Sequence, residues 1–116
     1  MPKRGERASP PVPPDGWTLR FVDRAAAAGW QDLCAAAPGP TWVAWEPLTF
    51  RPTEPENRSR HHRLRYEQAS QVIRGEPLDQ WQYEVTAGGR IWFCPEPKTQ
   101  TVWITYASPK HPKSTE

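Results

Sequence analysis

No stretch of this 116-residue chain holds the roughly 20 consecutive apolar residues needed to cross a bilayer, so its sequence excludes a membrane span. Cysteine is scarce too. Cys34 and Cys94 lie far apart, show no metal-ligand spacing, and follow no apolar secretory segment, which predicts free thiols in a reducing cytoplasm. Excess charge of one sign is lacking, since 15 Lys and Arg face 13 Asp and Glu, and a net charge of +2 identifies no partner by itself. Apolar residues make up only 36% and mean hydropathy is −0.84. The length allows one domain with one thin core. Seven Trp, three Tyr and three Phe supply the large burial units such a core needs.

The prolines mark the chain's divisions. Residues 1 to 14 hold five of them among scattered charges and have almost nothing to bury, so residues 1–15 are expected to be a disordered Pro-rich leader. From Trp17 to Val22 apolar and polar residues alternate as in a half-buried strand. Asp23 stands where a helix N-cap belongs, ahead of an Ala-rich segment, Arg24 to Ala37, that stops at Pro38-Gly39. Thr41 to Phe50 has helical spacing, with Pro47 expected to break or kink it. Arg51 to Asn57 reads as a loop.

The second half reads as β-structure. Leu64 to Arg74 reads as one strand, with a bulge allowed, and Trp81–Thr86, Arg90–Cys94 and Thr101–Tyr106 follow as three more. Ala87-Gly88-Gly89 joins two of them, and the short links predict an antiparallel meander. With a three-residue loop, Gln82 and Glu84 share a face with Arg90, Trp92 and Cys94. Tyr83, Val85, Ile91 and Phe93 share the other, which makes the better core.

Charge is concentrated in two places. Four arginines and two histidines fall between Arg58 and Arg65, and Lys110, His111 and Lys113 cluster near the C-terminus. Either patch alone reads as well as a solvated face. His61-His62 suggests a metal only superficially: adjacent side chains point apart and no ligand set accompanies them. Cleaving RNA without a metal requires a group that takes the 2′-hydroxyl proton, a cation over the phosphate, and a group that protonates the leaving 5′-oxygen. Arginine suits the phosphate, and histidine, with a pKa of about 6.5, suits either proton transfer.

Residues Gln80 to Thr115, QWQYEVTAGGRIWFCPEPKTQTVWITYASPKHPKST, resemble the C-terminal half of RelE-type toxins of the RelE/ParE superfamily. In one subgroup a Tyr-Glu-Val strand, a Gly-Gly-Arg turn, an aromatic strand, a Val-Trp strand and a terminal His-Pro-Lys follow in that order. The resemblance extends over roughly residues 17 to 115 through the order strand, helical pair, sheet, and is concentrated in the last third. It implies an α+β fold in which an N-terminal strand and helical pair pack on a twisted antiparallel sheet of about four strands, with the domain at 16–110 and a site-bearing tail at 111–116. It also implies a ribosome-dependent endoribonuclease that cuts mRNA in the ribosomal A site, touches ribosomal RNA, uses no metal or small-molecule cofactor, and is neutralised by a cognate antitoxin.

By matched position Arg90 resembles the phosphate-binding strand arginine and His111 the C-terminal general acid or base. Lys113 would assist on the phosphate and Glu84 is a further candidate base. Lys110, His62, Arg63 and Arg65 are candidate RNA contacts, and Trp92 and Trp103 could stack on bases or simply cover the core. The subgroup tends to carry glycine before His-Pro-Lys, where this chain has Ser108-Pro109-Lys110, a stiffer approach expected to re-aim the terminal segment and weaken activity. Two other outcomes stay open: a ParE-like poison that binds DNA gyrase, and a catalytically degenerate module that binds an antitoxin.

Overall fold

The structure is a computed structural model that describes residues 4–5 and 11–110. Its first ordered strand, β1, is Thr18–Phe21. Asp23 then takes an extended conformation and its Oδ1 accepts the Ala26 N–H at 2.8 Å, satisfying one of the free donors that open a helix. Helix α1 runs from Arg24 to Ala36. The second helix, α2, is longer than its prolines suggest and spans Pro38–Phe50. Prolines at 38 and 40 lie in the first turn, where backbone N–H groups have no intrahelical acceptor to lose. Pro47 lies inside the helix, which continues past it: Arg51 N–H still donates to the Pro47 carbonyl at 2.9 Å.

Five strands form the main sheet, in the order β1-β7-β6-β5-β2, where β2 is His61–Arg63, β5 Trp81–Glu84, β6 Arg90–Glu96 and β7 Thr101–Ser108. All neighbours are antiparallel except β1 and β7, which run parallel with Thr18 opposite Thr101. The sheet is therefore mixed and one strand larger than the expected four. The additional member is β1, which joins the sheet alongside β7, while β2, drawn from the Arg/His-rich stretch, stands in the place expected for Leu64 to Arg74; the helical pair carries the chain from β1 across to it.

Leu64 to Arg74 is not one strand. After β2 comes a 3-10 turn at Tyr66–Gln68, then a separate hairpin of β3 (Ser70–Ile73) and β4 (Glu76–Asp79). Its two-residue turn, Arg74-Gly75, has positive φ at both residues (54° and 82°), the handedness that matches strand twist. Buried Gln80, directly after β4, ties the 3-10 turn to the sheet: its Nε2 donates to the Gln68 carbonyl at 2.9 Å and its Oε1 accepts the Thr105 hydroxyl of β7. Thr105 is the extra residue of a bulge in β7, since Trp92 pairs with Tyr106 and Phe93 with Ile104.

The two faces of the β5–β6 hairpin fall as their alternation predicts. Tyr83, Val85, Ile91 and Phe93 join Val102, Ile104 and Ala107 against Ala26 and Leu33 of α1 and Ala44 and Leu48 of α2. Phe93, Leu33, Leu48, Ile91 and Ile104 are fully buried, each contributing about 1.5–3 kcal/mol of transfer free energy. Gly29 lets α1 lie directly on β7, where a Cβ at this position would overlap the Ala107 carbonyl.

Candidate functional site

Glu84, Arg90 and Ser108 are cross-strand neighbours on β5, β6 and β7, at the end of the sheet where the chain leaves β7 toward Lys110. This brings together two of the proposed site residues, Arg90 and Glu84, with the start of the C-terminal tail. His111 and Lys113 lie outside the described residues.

Arg90 is built into the loop that precedes it. Its Nη1 donates to the carbonyls of Thr86, at 2.8 Å, and Gly89, at 3.1 Å, while Nη2 faces the Glu84 carboxylate at 3.7 Å. The residue is only 7% exposed. The loop has its own bonds: Val85 N–H donates to the Gly89 carbonyl at 2.9 Å and Gly89 N–H to the Thr86 hydroxyl at 2.7 Å. The guanidinium therefore holds the turn in shape, and its Glu84-facing edge is the part directed away from those carbonyls.

Trp92 is buried. Its ring lies 5.0 Å from that of Tyr106 and its N–H donates to Gln82 Oε1 at 2.9 Å, satisfying both buried polar groups. Trp103 is half-buried, with Arg74 6.0 Å above the ring and its N–H donating to Glu96 at 3.2 Å. Hydrogen bonds from Thr99 and Trp103 hold the Glu96 carboxyl below its ordinary pKa, with Arg74 and Lys98 adding a smaller pull and burial opposing. Burial leaves Trp92 little surface on which a base could stack. Tyr106, half-buried on the same face as Arg90 and Glu84, was not singled out by the sequence because its partnership with Trp92 depends on the β7 bulge.

The basic stretch lies along β2, an edge of the sheet. Arg58, Arg60, Arg63 and Arg65 are all exposed, and Arg63 donates to Asp79 at 2.9 Å. His62 is half-buried, its Nδ1 3.1 Å from the Arg63 carbonyl, and Lys110 is exposed. The two adjacent histidines do part. His61 turns inward among Trp81, Tyr83 and Phe93, with ring centroids 5.6–5.7 Å away, and its Nε2 lies 2.9 Å from the Pro52 carbonyl. Burial lowers its pKa, outweighing the upward pull of that carbonyl, and the positive charges of Arg51 and His62 push the same way as burial. Among the described residues no three His, Cys, Asp or Glu side chains stand close enough together to hold a metal ion. No described helix is long and apolar enough to cross a membrane.

Tyr66 is the surface feature that the sequence pattern conceals. It is 91% exposed, immediately follows Arg65, and adopts a positive φ of 57°. The signal was an aromatic residue ending an arginine run, hidden by assigning the whole segment to a strand. No protein-family model matches the chain, and no curated protein is significantly similar to it.

Proposed function

We propose that this chain is an mRNA-cleaving toxin of the RelE/ParE type, acting in the cytoplasm on mRNA in the ribosomal A site and restrained by a cognate antitoxin. The order of elements, a strand, two helices and then antiparallel strands, agrees with what the sequence resemblance implies. The observation that carries the reading is the alignment of Glu84, Arg90 and Ser108 across three strands, which brings the end of β7 beside the arginine at the sheet's centre.

In this reading the ribose 2′-hydroxyl gives its proton to a base, the 2′-oxygen attacks the adjacent phosphorus, and the 5′-oxygen departs with a proton from an acid. His111 serves one of the two proton transfers and Glu84 is the candidate for the other. Arg90 stabilises charge on the phosphate through Nη2, the nitrogen that now faces Glu84, and Lys110 and Lys113 reinforce it. No metal takes part.

One observation favours a second reading. Arg90 is buried and its Nη1 is committed to two backbone carbonyls, as suits a residue kept for the fold in an antitoxin-binding module without catalytic activity.

Inducible expression of the wild type, Arg90→Ala and His111→Ala in a bacterial host, with mapping of mRNA 5′ ends, tests these readings. Growth arrest with new 5′ ends inside translated messages, lost in both variants, supports the nuclease. Arrest without cleavage indicates a poison of the gyrase-binding kind, and a folded wild type that causes no arrest indicates the binding module.

A further inference from the structure

Tyr66 occupies a backbone conformation that favours glycine, and nothing in its packing compensates. At φ 57° a bulky side chain is an outlier, and residues held so tend to cluster where a protein binds or reacts. The turn is closed by Gln68 N–H to the Arg65 carbonyl and Ala69 N–H to the Tyr66 carbonyl, both at 3.1 Å. Both are backbone bonds that glycine at 66 would make equally well. The ring itself is almost wholly in solvent. Folding therefore does not account for a tyrosine at this position.

Its neighbourhood is cationic. Arg58, Arg60 and Arg65 are exposed and make no ion pair among the described residues, whereas Arg63 is engaged by Asp79 and the nearest following acid is exposed Glu67. The segment from Arg60 to Tyr66 includes the edge strand β2 and, were it fully extended, would span about 20 Å. One end abuts the candidate site, because the Glu84 N–H donates to the Arg60 carbonyl at 2.7 Å. The other end is Tyr66.

We propose that this edge binds single-stranded RNA, with Arg58, Arg60 and Arg65 on phosphates along the strand and one unstacked base on the Tyr66 ring. The choice of ligand rests on the RNA-directed reading above and gives the strand a path away from the Glu84–Arg90 end. Guanidinium groups meet phosphate oxygens bidentately, and a rigid exposed aromatic offers a base a surface regardless of its identity. An acidic protein segment would satisfy the arginines but leaves the strained tyrosine without a role.

The test is fluorescence anisotropy of a labelled, unstructured oligoribonucleotide with the full chain, across a salt series. Tyr66→Ala weakens binding about tenfold while Tyr66→Trp retains it, as expected for a stacking contact. Tyr66→Gly also loses affinity yet leaves the fold at least as stable, because it removes the φ strain; a tyrosine with a merely structural role would not separate these two readouts. Replacing Arg58, Arg60 and Arg65 together by Ala lowers the slope of log affinity against log salt by about 0.7 for each phosphate that is no longer neutralised.

Binding indifferent to Tyr66→Ala overturns the proposal, as does a salt slope left unchanged by the triple arginine replacement. The mapping of mRNA ends keeps the two ideas separate. Cleavage by a wild type whose oligonucleotide binding ignores Tyr66 sinks only this inference. Tyr66-dependent binding without cleavage supports it and sinks only the nuclease.

Discussion

The Arg90 guanidinium donates to the Thr86 carbonyl across 2.8 Å, so the residue we propose for the phosphate also shapes the loop on which it stands. We predict that Arg90→Ala destabilises the domain by about 1–3 kcal/mol, because two carbonyls lose a charged donor in a buried setting. Urea unfolding measures this. An unchanged midpoint would show the loop to be self-sufficient through its own Gly89–Thr86 bond. The same measurement decides how lost toxicity in this variant is read.

Gly29→Ala is expected to destabilise the protein by about 1–3 kcal/mol, although alanine is the better helix former. The added methyl would overlap the Ala107 carbonyl, and α1 could make room only by lifting from β7. Gly39→Ala, where a Cβ meets nothing, should show no such loss. Equal effects at the two sites, by chemical denaturation, would refute the close approach.

Stability should fall as pH drops below the ordinary imidazole value of 6.5, because burial depresses the His61 pKa in the folded state. Between the depressed value and 6.5 the unfolded chain binds the proton more readily than the folded one, so acid favours unfolding in that window and the loss is regained as pH rises. Unfolding curves across pH 5 to 7 for wild type and His61→Gln test the assignment. A variant with the wild-type slope would place the effect elsewhere. Glu96, whose pKa is depressed, acts lower: its contribution is present above its ordinary 4.5 and lost as pH falls through the folded value.

Only one thiol should react in the native protein. Burial pushes Cys94 up to about 12, with the Asp79 charge adding to the effect, while Cys34 is half-buried and raised less. A thiol-specific reagent at mildly alkaline pH should titrate Cys34 alone, and both cysteines in denaturant. Rapid native labelling of Cys94 would mean that the β3–β4 side of the sheet opens readily.

Much of this fold is legible in local patterns. Asp23 as a cap, the Ala-rich helix and the opposed faces of the β5–β6 hairpin all follow from signals confined to a few neighbouring residues. What escapes is set by distant partners. His61–Arg63 carries no strand alternation of its own and is extended because β5 offers it a free edge. Strand β3 is absorbed into the run from Leu64 to Arg74, and β4 beyond it goes unread, because the turn between them is Arg-Gly rather than the usual Asn-Gly. The candidate site is similarly divided. Sequence places Arg90 and Glu84 on one face, but only the folded loop shows where Arg90 spends its hydrogen bonds, and no periodicity announces that Tyr66 stands alone in solvent.

The parallel pairing of Thr18 with Thr101 joins the first strand to the last among the described residues. A chain emerging from the ribosome cannot complete this sheet from the N-terminal end: β1 must wait, solvated, until β7 has been synthesised and released from the exit tunnel. Such a non-local closure makes folding slow relative to a helical domain of the same size. It also makes the sheet an all-or-none assembly, since a chain cut short before β7 leaves β1 without its partner strand.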